Sequence, residues 1–178
     1  KLLQGADAGA GADDGDEITG QHLLIHPFLQ RLAHVGDVVE GKPQVIVCAT
    51  QRIRSYDLAT GKQLWECGGL TANVIPTPIS AFDHLYAISG FRGNALLAIK
   101  LGKSGDLTDG DAISWRHERS TPYVPSPVLS GDRLFFFAGN NPILSCVDAR
   151  TGKVHFDAER LPGPTGFYAS PVGAAGRI

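Results

Sequence analysis

The stretch YDLATGKQLW, Tyr56 to Trp65, returns later in the chain as VDARTGKVHF, Val147 to Phe156, with Asp, Thr, Gly and Lys at the same offsets. Each copy alternates its side chains, turns on Thr-Gly-Lys and resumes in a run that reaches an aromatic ring, the pattern of strand, tight turn, strand. Gly61 and Gly152 lie 91 residues apart, which is two periods of about 45, the length of a four-stranded propeller blade. The chain is therefore expected to be built from recurring sheets.

A blade-length step from Trp65 reaches Trp115, at the end of AISW, with LLAIKL (Leu96 to Leu101) supplying the strand before it. The turn in this middle copy has grown to GKSGDLTDGD and lacks the Asp-x-x-Thr-Gly core. A second marker keeps the same phase: TPI at Thr77 to Ile79, SPV at Ser126 to Val128 and SPV at Ser170 to Val172. Pro78, Pro127 and Pro171 are the expected inner-strand markers, because a proline cannot donate to a ladder and suits a short strand exposed along one side.

The pattern Asp57-x-x-Thr60-Gly61-Lys62-x-x-Trp65, with a Ser-Pro or Thr-Pro strand opening each repeat, resembles the PQQ-like β-propeller repeat. That repeat is shared by quinoprotein dehydrogenases and by the propeller lipoprotein of the bacterial outer-membrane β-barrel assembly machine. LWECGGLTANVIPTP and PYVPSPVLSGDRLFF are similar to bacterial PQQ-binding-like β-propeller repeat proteins. The resemblance covers Lys42 to Ile178. It implies an all-β propeller of four-stranded antiparallel blades, three blades and part of a fourth, a fragment of a seven- or eight-bladed disc whose other blades are missing. It also implies a periplasmic or otherwise exported protein, although this chain carries no signal peptide. The expected blades span about 41–70, 71–119, 120–160 and, in part, 161–178, after a poorly ordered or divergent segment at 1–40.

In that frame each motif residue has a structural role. Asp57 and Asp148 stand at turn entrances where a carboxylate accepts backbone N–H groups across the turn, with Thr60 and Thr151 three residues on. Gly61 and Gly152 supply positive φ. Trp65, Trp115 and Phe156 offer broad apolar faces that pack between neighbouring blades, called tryptophan docking in the family.

Hydrophobic residues at 43% with 19% charged match a soluble globular composition, and the apolar runs are too short to span a membrane. A net charge of −2 without a basic cluster argues against a nucleic-acid partner. Cys48, Cys67 and Cys146 are odd in number and lack metal-ligand spacing. Cys48 and Cys146 fall inside apolar strands, and Cys67, following a strand, is the one expected to be exposed. The run Gly5 to Glu17 is Ala, Gly and acid, expected to be disordered or a long loop; its Asp13, Asp14, Asp16 and Glu17 do not meet EF-hand spacing. His22 and His26 share the i, i+4 spacing of metal ligands on a helix within QHLLIHPFLQRL, but Pro27 disfavours helix at His26, which leaves a surface histidine pair. Asp106, Asp109 and Asp111 in the long insertion read as solvated loop residues rather than a cation site. Arg92 and Asn94, matched by Asn140 and Asn141 one blade on, read as turn chemistry, with a binding surface as the alternative. Arg116, His117, Glu118 and Arg119 read as a solvated mixed-charge edge.

Quinoprotein dehydrogenases of this repeat family clamp PQQ between a tryptophan and a disulfide of adjacent cysteines, with calcium and a catalytic aspartate. The adjacent pair is absent, and the tryptophans and motif aspartates have structural roles. No catalytic, cofactor-binding or metal residue is therefore assigned. The expectation is a non-catalytic scaffold binding a protein partner or extended ligand; the alternative is part of a PQQ-dependent alcohol or sugar dehydrogenase using PQQ and calcium.

Overall fold

The computed structural model describes residues 33–39, 42–166 and 168–178. Strands and no helix are found among them. The first blade is β1 (Ala33–Val39), β2 (Lys42–Ala49), β3 (Arg52–Asp57) and β4 (Gln63–Gly68), each antiparallel to the last. The second is β5 (Ile79–Ala81), β6 (His84–Ser89), β7 (Ala95–Lys100) and, as outer strand, β9 (Ile113–His117); β8 (Gly105–Asp106), in the insertion between β7 and β9, pairs with the first sheet. The third is β10 (Val128–Ser130), β11 (Arg133–Phe137), β12 (Ile143–Asp148) and β13 (Val154–Arg160). Beyond them Ala174 and Arg177 exchange two N–H···O=C bonds of 2.9 Å, repeating the Ser130–Arg133 pair that opens the β10–β11 hairpin. Three meanders in series with the start of another make a partial β-propeller.

The sheets pack face to face, so the core lies between blades. One cluster joins Ile46, Ile53 and Trp65 of the first blade to Leu85, Leu97 and Ile99 of the second; another joins Tyr86, Ile88 and Leu96 to Leu134, Phe136 and Val147 of the third. Alternation sends Leu85 and Ala87 one way and Tyr86 and Ile88 the other. A middle blade buried on both faces explains why HLYAIS and ALLAIK read as nearly unbroken apolar runs.

The aromatic positions share one register. Trp65 pairs with Ser55, Trp115 with Ala98 and Phe156 with Cys146, and in each blade the ladder slips immediately beyond that pair. A small buried partner leaves room for the ring, and the bulge twists the outer strand.

Two expectations need correction here, the boundary of the first blade and the exposure of Cys67. The first blade begins at Ala33, ahead of the boundary at 41, and its inner strand AHVGDVV carries no Ser-Pro marker. Pro43 is inside β2 opposite Val38; it donates nothing, but its carbonyl accepts from Leu58 N–H at 3.1 Å. The inner strand marked by Pro78 is only Ile79–Ala81, because Pro76 and Pro78 remove the donors that a longer ladder needs. Cys67 is fully buried, since it stands two residues from Trp65 and so points into the same inter-blade core. The acidic run Gly5 to Glu17, His22, His26 and Pro27 lie outside the described residues.

Candidate functional site

The two intact motif turns have the same wiring. Asp57 Oδ1 accepts from Thr60 N–H and from the Thr60 hydroxyl, both at 2.8 Å, and from Ala59 N–H at 3.1 Å. Asp148 Oδ1 accepts from Thr151 N–H at 2.8 Å and the Thr151 hydroxyl at 2.7 Å. Gly61 and Gly152, at φ 68° and 72°, turn their N–H groups back onto the Asp57 and Asp148 carbonyls at 2.9 and 2.8 Å. The Thr151 hydroxyl, then its N–H, hold the Asp148 carboxyl below the ordinary carboxylate range. A group depressed on folding contributes stability that is present above its unfolded pKa and lost as pH falls through the folded one. We expect Asp148→Asn to flatten the decline in melting temperature below about pH 4, read from thermal melts of both proteins between pH 2 and 7.

Trp115 lies over the turn of the following blade. Its Nε1–H donates to the Ala149 carbonyl at 3.0 Å, and its ring occupies the space where a Gly152 side chain would begin. Phe156 is half-buried, its ring 6.3 Å from Phe135. Trp65 follows a different route, because the second blade has the insertion in place of an Asp-x-x-Thr-Gly turn. Trp65 is 3% exposed, and its Nε1–H donates to Gln44 Oε1 at 3.3 Å within its own blade.

The insertion, expected as solvated loop, adds β8 to the outer edge of β4 as a parallel strand, with Trp65 opposite Gly105 and Glu66 opposite Asp106. Leu107 N–H donates to the Glu66 carbonyl at 2.8 Å, and Gly68 N–H to Thr108 Oγ1 at 2.9 Å. Asp106 is engaged by the Thr108 hydroxyl and N–H and, at 3.8 Å, by Arg52, and Asp111 by Lys103 at 3.2 Å. Leu107 is buried in the core between the first two blades. Leu107→Ala should cost about 2–3 kcal/mol, measured by urea denaturation, as a solvated loop leucine would not.

The inner markers are joined across blades. Thr77 N–H donates to the Ser126 hydroxyl and Ser126 N–H to the Ser170 hydroxyl, both at 2.9 Å. Pro76, Pro78, Pro125 and Pro127 are buried between these positions, so the prolines face the sheet and the hydroxyl residues face away from it. At the end of the blades opposite the motif turns, Asn94 Oδ1 accepts Thr121 N–H at 3.0 Å, and Asn141 N–H donates to the Ala138 carbonyl at 3.0 Å. Arg92 lies 5.4 Å over the Phe91 ring, which stacks on Tyr123 at 4.8 Å. Asn94 is thus a blade-to-blade tie and Asn141 a turn residue.

The reactive side chains are subdued. Burial pushes the Cys48 thiol up to about 12, Cys67 up to about 11, and Cys146 upward as well. A thiol held protonated is a poor nucleophile and a poor metal ligand. Tyr86 is fully buried beside Trp115, its hydroxyl without a hydrogen-bond partner among the described residues, and burial pushes it up to about 12. An unsatisfied buried hydroxyl is a cost, so Tyr86→Phe should raise the melting temperature slightly in a thermal melt. A quinone clamp does not fit the described residues: no two cysteines are adjacent, both indole N–H groups are bonded within the fold, and Asp148 is held by its own turn. Among the described residues no group of three or more His, Cys, Asp or Glu is placed to hold a metal ion, and no helix is long and apolar enough to cross a membrane.

A family model described as outer membrane protein assembly factor BamB matches residues 12–173. Among solved structures the chain is similar to a europium-containing methanol dehydrogenase, at 10% sequence identity and a TM-score of 0.49, over 70% of this chain and 31% of that one. The chain thus spans less than a third of that enzyme's length. No curated protein matches it.

Proposed function

The chain belongs to the PQQ-repeat family described as outer membrane protein assembly factor BamB, and on that premise we propose that it is a non-catalytic propeller domain that binds a protein partner or another extended ligand. The observation that carries this reading is β8: the outer edge of the first blade already holds an added strand, through backbone pairing and the contact of Asp106 with Arg52. A blade edge that accepts an extended segment from its own chain has the geometry to accept one from elsewhere. The carboxylates and indoles that would carry chemistry are meanwhile engaged in turns and blade contacts. An exported, periplasmic setting belongs to the proposal and is supported by the family alone. No cofactor forms part of it.

The test uses the full-length protein in two assays: recovery and reconstitution of a complex with a purified partner, and turnover of alcohols or sugars after loading with PQQ and calcium. A stable reconstituted complex without quinone-dependent turnover supports the reading. Turnover with no partner recovered overturns it in favour of a quinoprotein dehydrogenase.

A further inference from the structure

We propose that the outer edge of β9 is a docking site for an extended acidic peptide segment of a partner protein, which adds to the second blade as a parallel strand. The inference rests on the binding reading above and names the surface and the chemistry.

The chain provides its own template. On β4 the added strand uses the Glu66 carbonyl and the Gly68 N–H, and places an aspartate 3.8 Å from Arg52. The shared registers, Ser55 with Trp65 and Ala98 with Trp115, Ile53 with Cys67 and Leu96 with His117, make Arg116 the counterpart of Glu66 and Glu118 the counterpart of Gly68. The same outward carbonyl and N–H are therefore presented by Arg116 and Glu118. In the first blade they are covered because the second blade's turn is long enough to reach back. The third blade's turn, Ala149 to Lys153, is short and is already seated on Trp115, and among the described residues no strand pairs with the outer edge of β9.

Charge decides which open edge fits. Along β9 and just beyond it stand Arg116 and Arg119, both exposed, with Glu118 between them. Arg116 reaches the Thr108 carbonyl at 3.3 Å and Arg119 the Asp157 carboxylate at 3.5 Å, contacts at the surface that an incoming carboxylate can share. The other outer edge, β13, carries Glu159 and Arg160 of opposite sign, its Asp157 is tied to Ser145 and Arg119, and its ladder slips twice around Cys146. An acidic strand finds no excess of cations there and meets a broken register.

The probe is a synthetic peptide with the sequence of residues 103–111, KSGDLTDGD, added in trans to the full-length protein, whose β4 edge is covered by its own copy. We expect amide shifts and exchange protection at Arg116 to Arg119, affinity that weakens with salt, and at least a five-fold loss when the peptide's aspartates become asparagines. Two variants should give a similar loss: Arg116→Gln with Arg119→Gln, and Glu118→Pro, which removes the outward N–H. Unchanged melting curves confirm that each variant is folded. Absence of binding at millimolar peptide, binding that the variants leave unchanged, protection confined to β13, or a dimer of the protein that Glu118→Pro converts to monomer would each overturn the proposal. A partner complex that survives Glu118→Pro leaves the binding function standing and removes only this site, whereas loss of any complex with the unmodified protein removes the function itself.

Discussion

Gly90→Ala should cost about 3 kcal/mol or more, the largest effect expected for an added methyl group among the described glycines. A Cβ at Gly90 would run into the Thr121 carbonyl oxygen and come within 2.7 Å of the Pro122 carbonyl oxygen. Both obstacles are backbone, in the link between the second and third blades, so no side chain can swing away. The link is also pinned: the Thr121 hydroxyl donates to the Ser89 carbonyl at 2.7 Å and its N–H to Asn94 Oδ1. Pushing this strand back would break those bonds or pull the two blades apart. Urea denaturation of the variant should show a lower midpoint with little change in slope, the signature of lost stability in an otherwise similar fold. A loss under 1 kcal/mol would show that the link can shift freely.

Gly152→Ala and Gly61→Ala place the same substitution at the same position of the same motif, and should differ by roughly 2 kcal/mol. Both glycines have positive φ, which costs an alanine about 1 kcal/mol. At Gly61 that is the whole expected cost, because no described atom lies within 4 Å of the added carbon. At Gly152 the new Cβ would sit 2.7 to 2.9 Å from ring atoms of Trp115, so the indole must lift off the turn and stretch its bond to the Ala149 carbonyl. Overpacking of this kind adds about 1–3 kcal/mol, and chemical denaturation of the two variants side by side reads the difference. Equal losses would mean that the ring is not held against the turn.

The contrast between those glycines shows where the sequence is informative. The Asp-x-x-Thr-Gly pattern is local: a turn six residues long satisfies its own carboxylate, so spacing alone identifies it. The Ser-Pro and Thr-Pro markers are legible because proline and a hydroxyl at a fixed phase leave few alternatives, and the fold class follows from their recurrence. Three features were hidden because they depend on neighbours distant in sequence. Cys67 is buried by a blade whose strands begin some residues later, so its place after a strand gave a misleading hint of exposure. The inner strand of the first blade has no marker, and only its pairing with β2 reveals it. The insertion looked like loop because Gly105 and Asp106 are poor strand formers; their strand exists because β4 offers an edge. The candidate docking edge has the same character, since the equivalence of Arg116 with Glu66 appears only when two ladders are compared.

The bonds from Thr77 to Ser126 and from Ser126 to Ser170 run in one sense, amide of one blade to hydroxyl of the next. Ser126 is plug and socket at once, and both sockets are serine hydroxyls. A connector carried in both genders, as at Ser126, lets a module be duplicated or deleted without inventing a new joint. Ring size in such an architecture is then free to drift by whole units, while each unit's own sequence stays under the same constraint.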